Sequence, residues 1–117
     1  MQDYELDAYL DGFDATPEQR AQLAAISDLT EARYATEGDD QAEAAAFAAA
    51  TEVILGDNTL KEIAAEWLRA RQAEREMMTR LTGAIIAAHH TGLSQLQIAD
   101  KTGINRRTVR KALGQSH

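Results

Sequence analysis

Four cationic side chains crowd one short stretch near the carboxyl end: Arg106, Arg107, Arg110 and Lys111. A guanidinium is planar, permanently charged and forked, so it matches the geometry of paired acceptors. On duplex DNA it can grip the O6 and N7 edge of guanine, worth ~1–3 kcal/mol of discrimination per pair. From Met77 onward Asp100 is the only acid, against six bases. The chemistry this pattern offers is recognition of a polyanion.

Positioning those cations requires rigid elements, and the flanking residues supply them. Ser94 followed by Gln97 forms a capping box, which starts a helix over residues 95–102. Gly103 sits where the chain must turn with positive φ. Ile104 plugs the space beneath that turn, and Asn105 caps the next helix. Ile98, Val109 and Leu113 form the inner face, and Ala99 is small where the two helices cross. What remains outward is Arg106, Arg107, Thr108, Arg110 and Lys111. Residues early in such a helix reach deepest into a major groove. This assigns base edges to Arg106, Arg107 and Arg110, and phosphates or mixed contacts to Asn105, Thr108 and Lys111. Ser94 and Gln95, at a helix amino end, are placed for backbone phosphate.

Gly92-Leu93-Ser94, Ile98-Ala99, Gly103-Ile104, Arg106, Thr108-Val109 and Leu113 together resemble the DNA-binding end of serine resolvases and invertases, and the three-helix helix-turn-helix readers of many bacterial regulators. The resemblance covers residues 77–114. It implies that residues 77–90 complete a three-helix unit, and it implies binding without recombination, because the chain has no room for a resolvase catalytic domain.

Upstream, the elements read as helices throughout. Residues 4–10 are a short first helix or frayed arm. Thr16-Pro17-Glu18-Gln19 starts a second helix that runs to about Thr36, with Ala25, Ile26, Leu29 and Ala32 inward. Asp40 and Glu43 start a third, ending at Gly56, with Ala42, Ala46, Ala49 and Val53 along one side. Thr59 and Glu62 start a fourth. Its apolar residues recur at spacings of three and four, at Leu60, Ile63, Trp67, Ala70, Met77, Leu81, Ala84 and Ala88, broken only by Glu74. The charged residues 71–76 leave open one long helix or two. Low aromatic content, a single proline and abundant alanine support an all-α fold.

Charge divides the chain. Residues 1–58 carry fourteen acids and two bases, whereas residues 59–117 carry five acids and ten bases. The expected organisation is an acidic helical dimerisation or partner region over 1–58, a connecting helix over 59–76 and a helix-turn-helix unit over 77–117. The absence of cysteine excludes disulfides and thiolate metal sites and fits a cytoplasmic protein. No secretory signal is evident, and no apolar run reaches the ~18 residues of a membrane span. His89 and His90 point about 100° apart on a helix and do not chelate together. The acidic residues lack a histidine, lysine or metal spacing that would make them catalytic. No catalytic residue, metal or cofactor is therefore expected.

The resulting expectation is a homodimeric transcriptional regulator, a repressor that binds a palindromic operator whose half-sites lie about one turn apart, ~10 bp. Its dimer surface is drawn from Leu60, Ile63, Trp67, Met77 and Leu81. The alternative is an antitoxin or plasmid-segregation adaptor whose residues 1–58 bind a basic protein partner.

Overall fold

A computed structural model describes residues Met1–Gln115; Ser116 and His117, the end of the 77–117 stretch, lie outside the described residues. The described residues form six helices: α1 (Asp3–Tyr9), α2 (Pro17–Tyr34), α3 (Asp40–Leu55), α4 (Leu60–His90), α5 (Gln95–Thr102) and α6 (Arg106–Ala112). No strand occurs among them, so the fold is all-helical. None of these helices is long and apolar enough to cross a membrane. Contacts group the chain into two compact units, Met1–Ala65 and Glu66–His117, and the division falls inside α4.

Local chemistry sets the helix ends. Thr16 accepts the Gln19 N–H at 3.1 Å, while the Gln19 carboxamide accepts the Thr16 N–H at 2.8 Å. The same Gln19 donates from Nε2 to the Ile54 carbonyl at 3.2 Å, tying the start of α2 to the end of α3. Asp39, one residue before the expected Asp40, caps α3 by accepting the Ala42 N–H at 2.9 Å. The turn at Gly38 (φ +63°) leaves Asp39 non-helical and makes Asp40 the first helical residue. At the start of α4 the Thr59 hydroxyl accepts the Glu62 N–H and donates to the Glu62 carboxylate, while Asn58 takes the Thr59 N–H.

In the first unit α1 and α3 both pack on α2. Leu6, Leu10, Leu23 and Phe47 form the buried centre. Tyr9 meets Phe47 edge to face with ring centroids 5.1 Å apart. The α-ammonium of Met1 donates to Glu31 at 2.9 Å, which raises its pKa above the ordinary value.

The inner faces differ from those expected from apolar spacing. On α2 the buried residues are Leu23 and Ser27, whereas Ala25 and Ala32 are exposed and Leu29 is 68 % exposed. On α3 the buried residues are Phe47 and Thr51; Ala42, Ala46 and Ala49 are only partly covered and Val53 faces outward. The cause is small polar side chains inside. Thr51 satisfies its own hydroxyl by donating to the Phe47 carbonyl at 2.9 Å, so it is buried without an unpaired donor. Apolar patterning does not register such a residue as core. The helix limits also shift slightly: α1 begins at Asp3, and α2 ends at Tyr34.

α4 is one helix of 31 residues. No proline interrupts it, and residues 71–78 are almost all strong helix formers. Gln72 adds a side-chain hydrogen bond to Glu76 at 3.1 Å, one turn on.

This packing sets a stability contrast. Phe47→Ala is expected to lower unfolding stability by about 3–5 kcal/mol, and Leu29→Ala by no more than ~0.5 kcal/mol, as read from urea denaturation followed by circular dichroism. Equal losses would contradict the observed inner face.

Candidate nucleic-acid interface

The second unit is held by a second buried centre. Ile85 from α4, Ile98 from α5 and Val109 from α6 are all at most 2 % exposed. Leu81, Ala88, Leu93, Ala99, Ile104, Ala112 and Leu113 pack around them. One residue from each of three helices thus meets at a point, and the orientation of the short α6 depends on it.

The links between these helices are tight. At the end of α4, Gly92 takes φ +114°; its N–H donates to the His89 carbonyl, and the Leu93 N–H donates to that of Ala88, both at 3.1 Å. This is the Schellman arrangement, which satisfies carbonyls that a helix end leaves open. His89 Nδ1 donates to the Leu93 carbonyl at 2.9 Å and reinforces the same turn. Ser94 and Gln97 form the reciprocal box at the start of α5. Three residues then join α5 to α6. Gly103 adopts φ +75° and donates to the Ala99 carbonyl at 2.9 Å. Asn105 accepts the Thr108 N–H at 2.8 Å and starts α6.

The candidate residues fall into distinct classes. Arg106, Arg107 and Lys111 are exposed. Arg107 and Lys111 are four residues apart and lie opposite Val109, so they share the outermost line of α6. Arg110 and Thr108 sit on the flanks and are partly buried. The Arg110 Nε–H is buried with no acceptor among the described residues. Arg110 is therefore partly packed against its own unit, unlike Arg106 and Arg107. None of the ion pairs among the described residues involves a cation of α6; all lie within the first 37 residues. Among the described residues, the arginine-rich face thus has no ion-pair partner.

The proposed phosphate contacts are partly occupied. The Ser94 hydroxyl already accepts the Gln97 N–H, and the Ser94 N–H is taken by Gln97. The Gln95 carboxamide donates to Gln115 at 2.7 Å. Asn105 Oδ1 is engaged as a cap, leaving its amide donors. The donors still open at this end of α5 are the backbone N–H groups of Gln95 and Leu96. The five residues of the expected dimer stripe lie on α4: Leu60, Trp67 and Met77 are exposed, and Ile63 and Leu81 are partly covered. Leu81 also packs against the second core. Sequence spacing did not single out Leu68 or Ile86, which are exposed on the same helix.

Comparison with known protein families, with curated proteins and with solved structures yields no match.

Gly103 gives a local test of this turn. A Cβ there would meet nothing within 4 Å, so only backbone strain opposes a larger residue. Gly103→Ala is expected to cost about 1–2 kcal/mol. Gly103→Asn should cost less, because asparagine tolerates the left-handed region. Thermal melts of the two variants check the order.

Proposed function

We propose that the chain is a sequence-specific reader of duplex DNA, acting as a homodimeric helix-turn-helix transcriptional repressor. The observation that carries this reading is an unpaired cationic face on a helix anchored by Val109 and entered through the capped Gly103 turn. In this reading α6 lies in the major groove. Arg106, Arg107 and Arg110 address base edges, with Lys111 beside Arg107 on the outermost line. The Gln95 and Leu96 amides, the Asn105 amide and Thr108 face phosphates. The resemblance to resolvase and bacterial-regulator readers agrees with this assignment on residues 77–114.

A single seven-residue helix spans too few base pairs to be selective among the ~10⁶–10⁹ competing sites of a genome. Two copies double the contacts and call for a palindromic operator with half-sites an integral number of turns apart. The excess of acids over residues 1–58 disfavours nonspecific adhesion to DNA.

The test is selection of bound duplexes from a random pool, followed by anisotropy titrations at several salt concentrations. Arg107→Ala is expected to weaken the selected site by ~5–100-fold and to relax one base position, following the ~1–3 kcal/mol of a bidentate contact. Lys111→Ala should weaken all sequences alike and reduce the salt slope by about one. Failure to enrich any sequence would reject the reading.

A second reading, an antitoxin or segregation adaptor, draws on the acidic first unit. Tyr9, Phe13, Glu52 and Asp57 line one groove there, pairing aromatic faces with carboxylates suited to a basic protein. It predicts a DNA-independent complex with a basic partner that survives Arg107→Ala.

A further inference from the structure

The middle of α4 is solvent-exposed among the described residues. Every residue from Glu66 to Arg80 is exposed, a run of fifteen. An isolated helix of this length is marginal in water, and packing of an apolar face normally stabilises it. Here that face is bare: Leu60 is 77 %, Trp67 56 % and Met77 56 % exposed. We propose that α4 pairs with α4 of a second copy in antiparallel orientation, centred on Gln72. This deepens the homodimeric reading above and rests on it only for the consequence for DNA.

Three observations select this occupant and this register. First, an apolar groove of about 240 Å³ in the second unit is lined by Leu81, Ala84, Ile85 and Ala88 of α4 together with Leu93 and residues of α5. Its α4 members are spaced i, i+3, i+4 and i+7, the spacing of the residues that surround a knob in a coiled coil. With Gln72 at the centre, Leu60 of the second copy meets Ala84 and enters that groove. The same register sets Ile63 against Leu81 and Trp67 against Met77 of the second copy, so the bulky members of the stripe each gain an apolar neighbour.

Second, Glu74 discriminates between orientations. A parallel pair would place two Glu74 carboxylates against each other in the seam, where like charges are costly. The antiparallel pair places each Glu74 opposite Ala70 and beside Arg71 of the second copy. Third, the flanking charges agree. Glu66 lies diagonally across the flank of the seam from Arg80 of the second copy, twice by symmetry. At larger scale the acidic residues before α4 are brought towards the basic residues after it, whereas a parallel pair would set like against like.

From Gln72 to His90 is ~27 Å at about 1.5 Å per residue, so this register separates the two α4 carboxyl ends by ~54 Å. Adjacent turns of one groove face are ~34 Å apart. Half-sites wider than one turn follow.

The chain contains no cysteine, so single-cysteine variants report contacts cleanly, without DNA present. Ala64→Cys mixed with Met78→Cys is expected to give a cross-linked heterodimer under mild oxidation, and Met77→Cys alone to give none. By sedimentation equilibrium, Glu66→Arg and Arg80→Glu should each weaken the dimer by ~3–10-fold, and the double exchange should restore it, as expected for two exposed pairs. All these sites are exposed, so folding is not at stake. A monomer, a Met77–Met77 cross-link, or no rescue by the double exchange would overturn the pairing. These outcomes are independent of the Arg107→Ala titration, so failure of the pairing and failure of the DNA reading are separable.

Discussion

Val109 is the side chain on which the second unit turns. It is fully buried against Ile85 and Ile98, so one contact point fixes α6 relative to α4 and α5. A seven-residue helix has almost no stability of its own. Its face is therefore dictated by this burial: with Val109, Ala112 and Leu113 inward, Arg107 and Lys111 have nowhere to go but outward. The caps at Ser94 and Asn105 and the left-handed Gly103 serve the same end by limiting where α6 can begin.

Electrostatics follows from that geometry. Among the described residues, no ion pair involves a cation of α6, and the ion pairs are gathered in the first 37 residues. The proposed DNA contacts draw on that unpaired cluster. Partial burial of Arg110 differentiates it from Arg106 and Arg107: part of it is committed to packing, which lowers the entropy lost on binding. The hydrogen bonds of Ser94, Gln95 and Asn105 show that these side chains are engaged within their own unit.

α4 poses the complementary problem. The second core accounts for its carboxyl third, through Leu81, Ile85 and Ala88. Trp67 and Met77 belong to neither buried centre and are exposed. The Trp67 ring is partly shielded by Arg71, whose guanidinium lies 4.9 Å from its centroid. The apolar stripe thus continues beyond the core it serves, and it is this excess that the proposed pairing draws on.

What could be read from the chain alone was everything governed by neighbours in sequence. Glycine with positive φ, the capping pairs Thr16–Gln19 and Ser94–Gln97, and the all-helical character depend on interactions within four or five residues, so α5 and α3 were delimited correctly. The inward set Ile98, Ile104, Val109 and Leu113 was legible because the caps and Gly103 fix where each short helix starts, and Val109 and Leu113 are four residues apart. The tertiary structure alone decided which face of α2 and α3 is buried, because Ser27 and Thr51 go inside where two helices approach closely and Leu29 stays out. It alone decided that residues 71–76 continue one helix, since a charged stretch fits a helix or a bend equally well. It also decided that Arg110 flanks the core while Lys111 stands beside Arg107: spacing gives the order of residues around a helix, and only a packed neighbour says which direction is in.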